Sequence, residues 1–401
     1  MTTTERKRTA DEEVERLLRP DLRGRSAYGA PQLDVPVRLN TNENSHPVPD
    51  AVVRAVMDAL AADVANLNRY PDREFTALRT ALTDYLHRQS GVRVAPEQVW
   101  AGNGSNEVLS HVVQAFGGHG RVALGFTPSY SMHSIITETL GTTWVHGERD
   151  AETFDLTAES AAEQARRHRP AIVFLCSPNN PTGSALPFET VEAVLDAAPD
   201  AVVVVDEAYA EFARPGTPSA LTLLEGNPRL VVTRTMSKAF AFAGGRLGYL
   251  VAAPELVDAL RLVRLPYHLS TPTQTIARVA LEHADALLAT VESIKEQRDR
   301  IVSGLAELGA TPTPSDSNFV LFGNLPDAPG TWQALLDEGV LVRDVGIPGH
   351  LRVTAGTADE TTAFLDAMTR LAPTHVGPRE TPTTSASAAN QSAPESEGPT
   401  S

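Results

Sequence analysis

Apolar residues recur at helical spacing over 51–67 (AVVRAVMDALAADVANL) and over 74–91 (EFTALRTALTDYLHRQSG), and Gly91 closes the second run as a helix stop. Further along, the period alternates between extended and helical. Strands are predicted at 98–104, 121–126 and 142–147, and helices at 106–116, 133–141 and 188–198. The segment 171–183 (AIVFLCSPNNPTG) reads as a buried strand running into a turn. AVVVVDEAY (201–209) carries four consecutive valines. A strand apolar on both faces belongs inside a parallel sheet, and LVVTRTMSK (230–238) is another. After Pro266 the character changes. A long helix over 273–305 precedes extended runs at 315–323, 340–346 and 350–356, with helices near 331–338 and 358–371. Strands alternating with helices imply a doubly wound α/β domain whose sites lie at the carboxyl ends of its strands. The later part is a smaller α+β domain. The expected division is an N-terminal arm and first helix (1–64), a large domain (65–265), a small C-terminal domain (266–375) and a disordered tail (376–401). That tail has no aromatic residue, Leu or Ile and is too polar to offset the entropy of ordering.

Composition narrows the function classes. The chain has 401 residues with 34 Lys and Arg against 50 Asp and Glu, a formal charge of −16. That balance speaks against general nucleic-acid binding, which rests on phosphate neutralisation by cations. There is no polybasic run for an anionic membrane, and no apolar run approaches the roughly 20 residues of a spanning helix. A single cysteine excludes an intramolecular disulfide and a Cys-rich metal site, and no metal is expected. Cys176, inside AIVFLC, reads as a small buried hydrophobe rather than a nucleophile. The amino terminus has no apolar core of a secretory signal, so the expected compartment is the cytoplasm.

Five local features carry chemistry. In TRTMSKAFAFAGGR (233–246), Lys238 sits at the C-terminus of a strand, with hydroxyls at Thr235 and Ser237 and with Arg246 eight residues on. A lysine that forms a Schiff base must be nucleophilic near neutral pH, and a partly desolvated site provides that. Hydroxyls and an arginine suit a phosphate dianion. Asp206 ends the valine strand, where it is either a strand cap or the partner of a buried cation such as a pyridinium N–H; Tyr209 lies three residues on. SPNNPTG (177–183) is a forced turn in which Asn180, before a proline, is held extended with an amide free to donate, unless it is a plain turn. GNGSNE (102–107) lies between strand and helix. Free N–H groups of Gly104, Ser105 and Asn106 would make an anion site at the helix N-terminus. The spacing matches neither dinucleotide-binding nor P-loop fingerprints. Finally, Arg343 and Arg352 lie on neighbouring extended segments and suit carboxylate or phosphate recognition, or surface ion pairs.

Taken in order, these motifs resemble the fold-type-I, class II aminotransferases that use pyridoxal 5′-phosphate, over about residues 20–372. Further carriers are DLRGRSAYGAPQLDVPVRLNTNEN (21–44), NRYPD (68–72), TPSYSMH (127–133), LPYHLS (265–270), NFVLF (318–322) and LRVTAGT (351–357). Within that family the chain is similar to the histidinol-phosphate aminotransferases of actinobacterial type. The resemblance implies a mostly parallel sheet of the seven-stranded type in the large domain. Lys238 would hold the cofactor as a Schiff base, Asp206 would face its ring nitrogen, Tyr209 and Asn180 its ring hydroxyl, and Tyr130 its ring face. Gly104, Ser105, Asn106, Thr235, Ser237 and Arg246 would surround its phosphate. Tyr70 would reach that phosphate from the other subunit of an obligate homodimer. Arg352 would take the substrate carboxylate with Asn42 nearby, and Tyr28 and Arg343 the substrate phosphate. The implied reaction exchanges L-histidinol phosphate and 2-oxoglutarate with imidazole-acetol phosphate and glutamate. An aromatic amino-acid aminotransferase is the alternative. Two positions depart from the family pattern: Ser45 follows NEN in place of Pro, and His133 stands where many members have Tyr. Both are expected on the substrate-facing side, away from the core chemistry.

Overall fold

The computed structural model describes residues 9–378, so nearly all of the expected tail, like the first eight residues, lies outside the described residues. Twelve strands occur among them: β1 (Val37–Arg38), β2 (Val99–Gly102), β3 (Val122–Thr127), β4 (Thr143–Glu148), β5 (Ile172–Cys176), β6 (Val202–Asp206), β7 (Leu230–Thr235), β8 (Gly248–Val251), β9 (Thr311–Pro312), β10 (Phe319–Gly323), β11 (Val340–Leu341) and β12 (Leu351–Thr354). Seven of them form one sheet in the order β2-β8-β7-β6-β5-β3-β4. Pairing is parallel from β4 to β7, while β8 runs antiparallel to both its neighbours. The valines of β6 explain its central place: every residue of β5, β6 and β7 is buried. Such strands stabilise the sheet only when helices cover both faces. The crossovers Ser131–Thr139, Ala158–His168 and Phe188–Ala197 do so, and each buries one stripe of its surface.

Register then places the chemistry. Cys176 pairs beside Asp206, and Asp206 beside Thr233, so the ends of β5, β6 and β7 are level. Beyond that rim the chain turns through Ser177–Gly183 and Met236–Arg246. A second, three-stranded antiparallel sheet has the order β12-β10-β9. The N-terminal arm is stitched to it: β1 pairs with β11, and the Thr354 N–H donates to the Leu39 carbonyl at 2.9 Å. This stitching carries residues 40–42 to the rim of the large sheet.

Three expectations are corrected. The long helix over 273–305 is three helices, Thr271–Glu282, Ala284–Leu288 and Thr290–Glu307. The chain re-aims at His283 and Ala289, each piece burying its own apolar residues, and neither break carries the Gly or Pro that would announce it. Strand β7 ends at Thr235, so Lys238 sits in the following turn rather than on the strand. The extended run at 340–346 is a strand only at Val340–Leu341; past it Arg343 keeps a single bridge to Arg352. The helices Ala10–Leu17, Ala158–His168 and Pro254–Leu260 and the strand β8 had no expected counterpart.

Candidate active site

The rim of the sheet, the arm and the small sheet enclose a cavity of about 420 Å³. One end is an anion cradle. Gly104, at φ +88°, turns the chain into the helix Ser105–Phe116. The first turn of a helix has N–H groups without intrahelical acceptors, and Ser105 and Asn106 both line the cavity. Gly104 itself is corrected: its N–H donates to the Gly102 carbonyl at 2.8 Å and is not free. Its contribution is room, since a Cβ there would collide with the Arg246 guanidinium. A Cβ on Gly248 would likewise run into the Ser105 nitrogen, so β8 can approach the helix start only as glycine. Arg246 Nη1 lies 3.5 Å from Ser237 Oγ, and the Thr235 hydroxyl donates to Ser237 Oγ at 3.0 Å. Helix N–H groups, two hydroxyls and a guanidinium thus converge, as a phosphate dianion requires.

The middle of the cavity holds the reactive groups. Lys238 Nζ donates to the Thr41 carbonyl at 2.9 Å. Burial, then the Arg352 and Arg246 cations, lower its pKa from 10.5 to about 8 against the opposing pull of Glu43. Half of that amine is therefore unprotonated near pH 8 rather than near 10.5. Asp206 is buried at the end of β6. Its Oδ1 accepts from the Thr233 hydroxyl at 3.0 Å, and its Oδ2 lies 3.0 Å from His133 Nε2. A carboxylate only accepts, so the imidazole donates. His133 is therefore corrected: it is not peripheral but buried against Asp206, its ring stacked on Phe174 at 4.9 Å. Ser45 does not line the cavity. The Tyr209 hydroxyl accepts from Asn42 Nδ2 at 2.9 Å and from Asn180 Nδ2 at 3.5 Å. Burial pushes its phenol up to about 12, so it stays a neutral donor. The Tyr130 hydroxyl donates to Asn106 Oδ1 at 3.2 Å, and burial raises its pKa also. Cys176 is buried and burial pushes its thiol pKa up, as expected of an inert side chain.

The far end carries cations. Arg343 and Arg352 exchange two backbone hydrogen bonds of 2.9 Å across the antiparallel bridge. Directly opposed residues share a face of the ladder, so both guanidinium groups reach the cavity. Arg352 Nη1 donates to Asn180 Oδ1 at 2.6 Å and Nη2 to the Asn40 carbonyl at 2.8 Å, and its plane lies over Phe319. Burial lowers its pKa to about 10, and its buried Nε has no acceptor. Arg343 stacks over Tyr28 with 5.9 Å between its Cζ and the ring centre. Asn42 reaches this junction in the left-handed region (φ 56°), held by Thr354 Oγ1 on its N–H at 3.0 Å; asparagine tolerates that conformation better than most residues.

Thus the cavity brings together Lys238, Asp206, Tyr209, Ser105, Asn106, Tyr130, Asn180, Thr235, Ser237, Arg246, Arg352, Arg343, Asn42 and Tyr28. Gly104 backs it. Tyr70 is not in the cavity of its own chain; it is 80 % exposed and stacks on Tyr267 at 4.5 Å. Sequence reasoning missed Asn40 and Thr41, which act through backbone carbonyls and so leave no side-chain signal. The TPSYSMH motif contained His133, but nothing local announced a partner 73 positions away. Among the described residues no helix is long and apolar enough to cross a membrane.

The family described as aminotransferase class I and II matches residues 35–368. Histidinol-phosphate aminotransferases of Paenarthrobacter aurescens and Frankia casuarinae are each 60 % identical, over 90 % and 88 % of this chain and 96 % and 89 % of theirs. Among solved structures, the histidinol-phosphate aminotransferase of Sinorhizobium meliloti in complex with pyridoxal-5′-phosphate superposes with a TM-score of 0.74 at 24 % identity, over 84 % of this chain and 91 % of that one. Aspartate aminotransferase of Thermus thermophilus with maleate gives 0.72 at 26 %, over the same shares.

Proposed function

The chain belongs to the class I and II aminotransferases, and from that premise we propose that it moves an amino group between L-histidinol phosphate and 2-oxoglutarate, giving imidazole-acetol phosphate and L-glutamate, in L-histidine biosynthesis. The observation that carries the substrate choice is the second cationic end of the cavity. Arg343 and Arg352 line the same cavity as Arg246 but are held by other segments, so one group can take the cofactor phosphate while the other still takes a substrate anion. The family uses pyridoxal 5′-phosphate, and the residues present fit it. A Cβ on Gly104 would run into the Arg246 guanidinium, and Asp206 is a buried carboxylate whose partners are a hydroxyl and an imidazole.

When bound, pyridoxal phosphate supplies the electron sink for the carbanion formed at the substrate carbon. Ser105, Asn106, Thr235, Ser237 and Arg246 would hold its phosphate. Asp206, oriented by Thr233 and His133, would hold the proton on its ring nitrogen; Tyr209 and Asn180 would donate to its ring hydroxyl, and Tyr130 would cover its face. Lys238 would hold it, and the Lys238 amine would move a proton to and from the substrate carbon. Positioned acid–base groups of this kind contribute about 10²–10⁴-fold in rate. Arg352 would bind the carboxylate of glutamate or 2-oxoglutarate, and Arg343 with Tyr28 the phosphate of the other substrate. The two half-reactions share one site, so the kinetics are ping-pong.

A second copy of the chain would complete the site. Exposed Met57, Val64, Leu67, Leu262 and Leu265 accompany Tyr70 and Tyr267, and burying such apolar surface favours association. In that homodimer Tyr70 would reach the partner's cofactor phosphate. The compartment we assign is the cytoplasm, and the domain division is that of 65–265 and 266–375.

The test is a half-reaction titration of the yellow holoenzyme, following its visible absorbance. L-Histidinol phosphate is expected to convert the cofactor at far lower concentration than L-phenylalanine. If phenylalanine matches or beats it, the aromatic alternative replaces this substrate and Arg343 and Tyr28 lose their phosphate role.

A further inference from the structure

We infer, resting on the reading of Tyr130 and Asn180 as cofactor contacts, that Asn179 is a positioning residue: its carboxamide ties the loop that carries Tyr130 to the turn that carries Asn180. Strands β3 and β5 feed these two segments, and their parallel ladder ends at Gly125 and Phe174. The chains then run on to Tyr130 and Asn180 without ladder bonds between them. Asn179 takes over beyond that point. Its Nδ2 donates to the Pro128 carbonyl at 3.0 Å, and its Oδ1 accepts from the Ser129 hydroxyl at 2.9 Å. The same Nδ2 donates to Thr182 Oγ1 at 2.9 Å within its own turn. Its main chain closes that turn, with its N–H on the Ser184 carbonyl at 2.8 Å and its carbonyl accepting from Gly183 at 2.7 Å.

Asn179 is wholly buried and does not line the cavity, whereas its neighbour Asn180 does. One side chain therefore faces the cofactor and the next fixes the frame. The chemistry is specific to a carboxamide: a donor and an acceptor on one plane meet a carbonyl and a hydroxyl of successive residues. An aspartate keeps the Ser129 bond but sets an oxygen against the Pro128 carbonyl. A buried network satisfied at every member is stiff, and leaving a member unpaired is costly.

The test uses full-length protein freed of cofactor and titrated with pyridoxal phosphate. Binding is read by quenching of tryptophan fluorescence, and the asymmetry of the bound cofactor by visible circular dichroism. Asn179→Ala and Asn179→Asp are expected to weaken binding about tenfold and to shrink the dichroic band, and Ser129→Ala about threefold, as loss of one or two buried hydrogen bonds implies. Thr182→Val, which unties Asn179 only within its own turn, is expected to stay within about twofold. If Asn179→Ala fails to fold, Asn179→Asp and Ser129→Ala decide. Two results overturn the inference: wild-type affinity and dichroism in the Asn179 and Ser129 variants, or losses that simply follow the melting temperature across all variants, Thr182→Val included. Asn180→Ala and Tyr130→Ala serve as references. If they too bind as wild type, the reading of the ring contacts falls, and the inference with it; if they weaken binding while Asn179→Ala does not, only the inference falls.

Discussion

At the Arg246 end of the cavity the anion-facing groups come from two stretches of chain, Gly104–Asn106 and Thr235–Arg246. At the Arg352 end they come from four segments spread between Tyr28 and Arg352. The first end is built from short motifs, a glycine turn, a helix start and a turn after a strand, joined where β8 lies against the helix start. The second exists only because β1 pairs with β11 and Arg343 bridges Arg352, which brings the arm and the small sheet to one place.

The largest expected effect falls between the two ends. Lys238→Ala should keep pyridoxal phosphate bound at the Arg246 end yet lose transamination by at least about 10³-fold; spectra and steady-state rates of the same preparation check both. Next, Arg246→Ala should weaken cofactor binding by about 10–100-fold, the range of a charge-assisted contact. Arg343→Ala should leave cofactor binding unchanged and raise the KM of the phosphorylated donor by a similar factor. Equal cofactor affinities in the two variants would erase the division between the ends.

The pH dependence couples them. The Lys238 pKa is lowered, so the reactive free amine grows in as pH rises through about 8 rather than 10.5. The rate at which cofactor-free enzyme captures pyridoxal phosphate should follow that midpoint. Arg352→Met removes a neighbouring cation, lets the ammonium persist and should move the midpoint up. The smallest effect is expected for His133→Phe. Asp206 then keeps Thr233 but loses one of two hydrogen bonds, and kcat should drop by only about threefold with KM little changed.

The sequence was most informative where function is local. The hydroxyls of Thr235 and Ser237, Arg246, the glycine before Ser105 and the aspartate after four valines were each legible as chemistry before any fold was known. The alternation of strands and helices gave the parallel sheet, because strands buried on both faces leave an unmistakable apolar run. It did not give β8, a four-residue antiparallel strand, nor the breaks at His283 and Ala289, which carry no helix-breaking residue. His133 was misplaced for a related reason. Its partner is distant in the chain, and an imidazole on a helix gives no sign of the carboxylate it will meet.

What the sequence determined by itself is the cofactor chemistry. Phosphate, ring nitrogen and amine are each served by a short motif, at Gly102–Glu107, Asp206 and Thr235–Arg246, which strand register then brings together. Tertiary structure alone decided the rest: that Arg352 meets Asn180, that Asn42 meets Tyr209, that His133 meets Asp206, and that Thr41 receives Lys238 through a backbone carbonyl. These contacts join residues far apart in the chain. No local propensity encodes them; they follow from strand register and from the burial of apolar faces, which fix distances that a sequence pattern does not contain.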